Sequence, residues 1–196
     1  KSFHDGDQDW YWTKQEVASL LNSAFVKDSS IDKTDDQLIE KSFNILCFLI
    51  NSEDKLLENK KDEVCSGDNY INRAINSIHG QALDSLLTFA LWLKNNNKPI
   101  DQVEALLTDI VQHPKYIDSL AIIARALPWV HLSMPEFTEK NIDILFPESK
   151  EQQYILDVTW PTFILYTHAY EEMFHLMKGK FCYVLKNHLY SEKEKK

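Results

Sequence analysis

Residues 76–94 read NSIHGQALDSLLTFALWLK, and this stretch decides the fold. Leu83, Leu86, Leu87, Ala90 and Leu91 recur at i, i+3, i+4, i+7 and i+8, which is one face of an α-helix. Phe89, Trp92 and Leu93 widen that face until little of the helix is left polar. A helix that is apolar nearly all round is a central one, covered on several sides. Ser77 is placed to cap it, because its hydroxyl accepts from free backbone N–H groups two or three residues on. Gly80 is the odd choice, since glycine inside a helix costs about 1 kcal/mol relative to alanine. A side-chain-free turn there lets a neighbouring backbone or bulky ring come close.

Upstream, Trp10, Tyr11 and Trp12 stand just before Thr13 and Glu16, whose spacing is that of a capping box. Val17, Leu20, Leu21, Ala24 and Phe25 then form the apolar stripe of a first helix. The aromatic trio reads as a staple that fixes the helix entry on the core. A stacking platform for bases or sugars is the alternative, opposed by the acidic charge of the chain. A polar link from Asp28 to Thr34 leads to a second helix. It carries Ile39, Phe43, Leu46 and Ile50 on one face, broadened by Leu38, Ile45 and Leu49. Residues 51–68 are rich in Asn, Asp, Glu and Lys and read as a long exposed connection, with a short helix at Asp54–Asn59. A turn at Tyr70–Ile75 is expected before the central helix.

Downstream, Asn95-Asn96-Asn97-Lys98-Pro99 stops the central helix and Asp101 caps the next. Val103, Leu106, Leu107, Ile110 and Val111 repeat the helical spacing, and Pro114 ends it. Tyr116–Ala126 makes another helix, with Leu120, Ile123, Ala124 and Leu127 inward, and Pro128-Trp129 is expected to break it. Met134-Pro135-Glu136 opens a helix to about Leu145, closed by Phe146-Pro147. The next begins near Lys150. An interior proline costs about 3 kcal/mol, so a bend or break is expected at Trp160-Pro161. The last helix runs from about Ala169 to Leu189, with Met173, Phe174, Met177, Phe181, Val184 and Leu185 apolar.

The expectation is an all-α fold of roughly eight to ten helices, either a HEAT-like solenoid of irregular helical repeats or a helical bundle. No stretch alternates with period two for long enough to make a sheet, and four Gly in 196 residues leave few tight hairpins. Residues 1–196 read as a single domain, with loose ends at 1–9 and 190–196. The start at Lys1 and the abrupt Lys-Glu-Lys-Lys end are expected of a piece of a larger protein.

A net charge of −9 repels phosphate backbones, so no nucleic-acid partner is expected. Six Lys and two Glu from Lys178 to Lys196 read as a solvated tail. Cys47, Cys65 and Cys182 are widely spaced and odd in number, which fits free thiols in a reducing, cytoplasmic setting. The first residues are polar and acidic, unlike a signal peptide. No apolar run reaches the roughly 18 residues of a membrane span, so no membrane association is expected.

Motifs of phosphate loops, dinucleotide folds and nucleophile elbows are absent. His168, Glu172, His175 and Cys182 share roughly one helical face and include zinc-binding side chains, but a single helix cannot surround a tetrahedral ion. Glu171, Glu172 and His175 resemble half of a di-iron Glu-x-x-His site whose other half is missing. His79, at the start of the central helix, is kept neutral by the helix dipole. It is either a general base or, as the commoner case, a hydrogen-bond donor to a neighbouring loop. No catalytic residue, metal ligand or cofactor is assigned.

Asn76-Ser77-Ile78-His79-Gly80-Gln81-Ala82, followed by Leu86 and Ala90-Leu91-Trp92, resembles an N-S-V-R-G-E-A…Y-A-L-W signature. That signature belongs to C-terminal helical regions of large bacterial ATP-binding proteins of the STAND type, among them the antiviral STAND (Avs) defence NTPases. Trp12, Val17, Ala18 and Leu21 resemble the family's W-x-x-x-x-V-A-x-x-[IL] segment. Phe146-Pro147, Trp160, Tyr170 and Phe174 resemble its closing helices. His79 stands where the family has arginine, so any ion pair of that arginine is missing here. The resemblance implies a non-catalytic sensor or scaffold segment whose partner is a protein, either a phage protein or other domains of the parent chain. In such proteins a separate P-loop domain hydrolyses ATP, and recognition is coupled to oligomerisation of the parent.

Overall fold

A computed structural model describes residues 8–26, 35–58, 67–167 and 170–189 of the chain. Among them are ten α-helices: α1 Gln8–Ala24, α2 Asp36–Asn51, α3 Lys55–Glu58, α4 Gly67–Ile75, α5 Ile78–Asn95, α6 Asp101–Gln112, α7 Ser119–Ser133, α8 Pro135–Leu145, α9 Gln153–Tyr166 and α10 Glu171–Val184. A π-helical turn, Leu185–Leu189, follows α10. The described residues contain no strand, and the chain has the expected all-α fold.

Helix α5 is the hub. It packs against α1, α2, α4 and α7. Its leucines at 83, 86 and 87 are fully buried, and Phe89, Ala90, Trp92 and Leu93 nearly so. Helix α7 is a second buried element, touching α4, α5, α8 and α9. In a solenoid each repeat meets only its neighbours. Here α1 lies on α5 and α4 on α9, so the packing is that of an irregular bundle.

Small residues let α1 approach α5. Ala18 is fully buried, and Ser85 Oγ lies 2.8 Å from the Ala18 carbonyl oxygen. Phe25, at the end of α1, meets Phe89 and Trp92 edge-on at 4.7 Å and 5.2 Å. Ser77 caps α5 as its position predicts, accepting from Gly80 N at 2.9 Å and donating to the Ala74 carbonyl at 2.7 Å. Gly80 faces that same carbonyl. A Cβ there would lie 2.6 Å from the Ala74 carbonyl carbon, well inside van der Waals contact. The close approach is therefore the backbone at the end of α4.

Several expected boundaries differ. α1 begins at Gln8 and carries Trp10–Trp12 within it, so Thr13 is not a cap. Burial extends the helix upstream, because Lys14, Gln15 and Ala18 form its buried stripe while Leu20 is 68% exposed. The Lys14 Nζ lies 5.4 Å from the centroid of the Trp10 ring and 5.6 Å from that of Phe48, so this buried side chain is lined by two aromatic faces. Asp101 is the first residue of α6 rather than its cap, and α6 has no side-chain cap. Residues 70–75 lie within α4 rather than a turn. Asp54 and Leu57 are buried, not part of an exposed connection.

Neither Pro128 nor Pro161 breaks its helix. α7 runs through Pro128 and α9 through Pro161. Beyond each proline the helix buries Val130, or Thr162 and Phe163. Burying one such apolar side chain is worth about 1.5–3 kcal/mol, enough to offset the cost of the missing N–H. The last helix ends at Val184 and closes with the π turn. The expected links and loose ends at 1–7, 27–34, 59–66 and 190–196, together with His168 and Cys65, lie outside the described residues.

Candidate functional site

Two places in the bundle gather chemistry. The first is a polar junction at the N-terminal end of α5. Helix N-termini leave backbone N–H groups without intrahelical partners. Ser77 takes Gly80 N, and the fully buried Asp54 takes His79 N at 3.1 Å through Oδ2. Asp54 Oδ1 accepts from Leu56 N at 3.1 Å, which starts α3. Asp54 N in turn donates to the Tyr116 hydroxyl at 3.0 Å. One buried aspartate thus ties the segment after α2 to α5 and to the link between α6 and α7.

His79 completes this junction. It is 2% exposed, and Nδ1 lies 2.8 Å from the Ile50 carbonyl oxygen. A carbonyl only accepts, so Nδ1 carries the proton and Nε2 is a bare acceptor. Nε2 is buried without a hydrogen-bond partner among the described residues. The Tyr116 ring meets the imidazole edge-on at 5.1 Å. Burial holds His79 below the usual imidazole range, assisted by Lys115 and opposed by the Ile50 carbonyl and Asp54. Of the two sequence readings, the geometry matches a hydrogen bond to the end of α2.

Further pairs close the junction. Lys115 Nζ donates to the Asn51 and Ser52 carbonyls at 3.1 Å and 3.0 Å, satisfying the C-terminal end of α2. Arg73 Nε donates to Asp118 Oδ1 at 2.7 Å, joining α4 to the start of α7 with both side chains buried. Burial pushes the Asp118 carboxyl up, against the pull of Arg73. Tyr11 and Gln15 of α1 both donate to the Asn76 carbonyl, at 3.4 Å and 2.7 Å. Burial and the charge of Asp54 raise the Tyr11 phenol to about 12.

The second place is the outer face of α9 and α10. Leu156, Trp160, Pro161, Ile164, Phe181 and Leu185 line a largely apolar groove of about 450 Å³. An aromatic ladder backs it. Phe146 and Phe163 in the core meet Trp160 at 6.3 Å and 6.2 Å, Trp160 meets Phe181 edge-on at 5.0 Å, and Phe181 meets Phe174 at 6.1 Å. Phe174 on α10 is 50% exposed, and Ile164, Leu165 and Tyr166 at the end of α9 and Leu185 after α10 are exposed to a similar degree. Lys180 anchors α10, with Nζ 2.6 Å from Asp143 and 3.2 Å from Glu148.

The structure does not gather the residues with metal-binding side chains. Glu172, His175 and Cys182 are exposed on α10. His175 Nε2 lies 3.7 Å from Glu171 Oε1, one turn away, and its ring meets Phe174 edge-on at 6.2 Å. Among the described residues no group of three or more His, Cys, Asp or Glu could hold a metal ion. His175→Ala is expected to change stability by less than about 0.5 kcal/mol in a urea titration, as befits an exposed i,i+4 pair.

Sequence reasoning missed Asp54, Tyr116, Arg73 and Asp118. An Asx turn ahead of Leu56-Leu57 was the available signal for Asp54. The groove was missed because a break was expected at Pro161, which would have separated its two ends. Among the described residues no helix is long and apolar enough to cross a membrane. Comparison with protein-family models, with curated proteins and with solved structures finds no match.

Proposed function

We propose that this chain is a non-catalytic protein-recognition and scaffold module, the sensor segment of a bacterial STAND-like antiphage defence NTPase acting in the cytoplasm. The observation that carries the recognition reading is the α9–α10 face. Its groove is apolar, its rim is exposed, and its aromatics sit on a ladder rooted in the core. Trp, Tyr and similar anchors dominate binding hot spots, and anchors already fixed by packing lose little freedom on binding. The STAND part of the reading rests on the resemblance of residues 76–92 and the segments flanking them. On this reading the partner is a protein, foremost a phage structural protein, and the segment itself uses no cofactor. Oligomerisation belongs to the rest of the parent protein.

Leu165→Glu with Phe174→Glu tests the reading, since both side chains are exposed and the fold should survive. A panel of purified phage structural proteins is offered to the immobilised chain. The expected result is capture of one of them by the native chain, weakened about a hundredfold or more by the double substitution. Absence of capture, or equal capture by both forms with unchanged circular dichroism, counts against it.

A second reading is a structural spacer that packs against other domains of its own parent chain. It is favoured by a separate apolar set on α1 and α2, where Trp12, Leu20, Ile45 and Phe48 are exposed. Contiguous exposed apolar patches mark contact surfaces. Capture of the parent's remaining domains, abolished by Leu20→Glu with Phe48→Glu, would support the spacer.

A further inference from the structure

The polar junction contains a group that the recognition reading does not use. His79 lies between three elements: the segment after α2, the N-terminal end of α5, and the α6–α7 link. Its Nδ1–H holds the last turn of α2, and its backbone N–H holds Asp54. Its Nε2 is buried and has no hydrogen-bond partner among the described residues. We propose that His79 is the catch of a proton-operated latch, in which a proton on Nε2 frees the Ser52–Leu57 segment from the N-terminal end of α5.

The groups around the imidazole decide the direction. From the segment after α2 the facing charge is Asp54, which attracts an imidazolium. Its two carboxylate oxygens accept from His79 N and Leu56 N, and neither is a hydrogen-bond partner of Nε2. From the α6–α7 link come Lys115, which repels it, and Tyr116, whose hydroxyl is engaged by Asp54 N. From α4 comes Arg73, already paired with Asp118 at the start of α7. From α1 comes Tyr11, which donates to the Asn76 carbonyl. The first turn of α5 holds no acidic residue. A second N–H on the ring therefore finds no partner in the closed junction and must reach water to be satisfied.

Burial lowers the affinity of the closed form for the proton. An opened form, with the imidazole in water, titrates near 6.5. The closed form is thus fully favoured above about pH 6.5 and loses ground as the pH falls below that value. The loss stays local because of what holds each side. The body of α5 is anchored by fully buried leucines. The Ser52–Leu57 segment is held by the bonds of Asp54, by the Lys115 cap and by the burial of Leu57.

Amide hydrogen exchange followed by NMR at about pH 7.5 and about pH 5.5, corrected for intrinsic rates, tests the latch. Protection of the Asp54, Leu57 and His79 amides is expected to fall about tenfold relative to Leu86 and Ala90. His79→Asn keeps an N–H donor where Nδ1 stands but does not titrate, so the pH dependence should vanish in it. The same dependence in that variant, or equal protection at both pH values in the native chain, overturns the proposal. If the variant does not fold, the native imidazole ¹⁵N shifts decide. Nε2 must gain its proton over the same pH interval in which protection is lost, and opening with Nε2 still unprotonated overturns the latch.

Discussion

Gly80→Ala is expected to destabilise the chain by about 3 kcal/mol or more, measured as the shift in free energy of urea unfolding. The sign is the informative part. Inside a helix, glycine-to-alanine replacement ordinarily gains about 1 kcal/mol, because alanine has less backbone freedom to lose. At Gly80 a methyl group collides with the Ala74 carbonyl, and this obstacle is backbone rather than a flexible side chain. The Ala74 oxygen is also held by the Ser77 N–H and hydroxyl, so it cannot retreat without breaking the corner between α4 and α5. Gly179 is the internal control. A Cβ there would meet nothing nearer than Glu148 Oε1 at 3.9 Å. Gly179→Ala is therefore expected to gain about 0.5–1 kcal/mol. Equal effects at the two glycines would mean that the α4–α5 corner is not packed as described.

Arg73→Leu is expected to cost about 3–5 kcal/mol, because it leaves the buried Asp118 without its counter-ion. Loss of one partner exceeds loss of both, so adding Asp118→Asn should recover a substantial part of the stability. The pH dependence has a definite sign. Burial already raises the Asp118 carboxyl, and Arg73 is what restrains it. Without Arg73 the carboxyl rises further and takes up a proton at a pH where the native chain does not. The folded variant then binds more protons than the folded native chain, so the stability gap narrows as the pH falls through that interval. Thermal unfolding of both proteins between about pH 7 and pH 4 checks this. A gap that widens on acidification would show that Asp118 is not the group left uncompensated.

The central helix was readable because its signal is local. Leu83, Leu86, Leu87 and Ala90 repeat with the helical period, Ser77 supplies the cap, and both are properties of neighbouring residues. Gly80 was readable as a close approach, but not which backbone approaches, since the Ala74 carbonyl reaches it only after the chain turns at Asn76. The prolines misled for a related reason. Pro128 and Pro161 carry a local penalty that the burial of Val130 and Phe163 outweighs, and that burial depends on helices elsewhere in the chain. Thr13 looked like a cap by the same local logic, yet burial of Lys14, Gln15 and Ala18 against the rest of the bundle draws the helix back to Gln8.

The polar junction was the least legible part. Asp54 sits in a stretch whose composition reads as a solvated loop, and its partners, His79 and Tyr116, stand 25 and 62 positions further along the chain. No period or motif connects residues so far apart. The α9–α10 groove lay in between. Trp160, Phe174 and Phe181 were visible as apolar residues of two helices. That Phe181 meets Trp160 edge-on while Phe174 stays half-exposed follows only from how α10 packs on α9.

The most direct test of the recognition reading is an NMR chemical-shift footprint of the assigned chain titrated with each purified phage structural protein of the capture panel. The account predicts that the perturbed amides cluster between Leu156 and Tyr166 and between Phe174 and Leu185, around the groove and its rim. Perturbations confined to α1 and α2, or none at saturating partner, would contradict it.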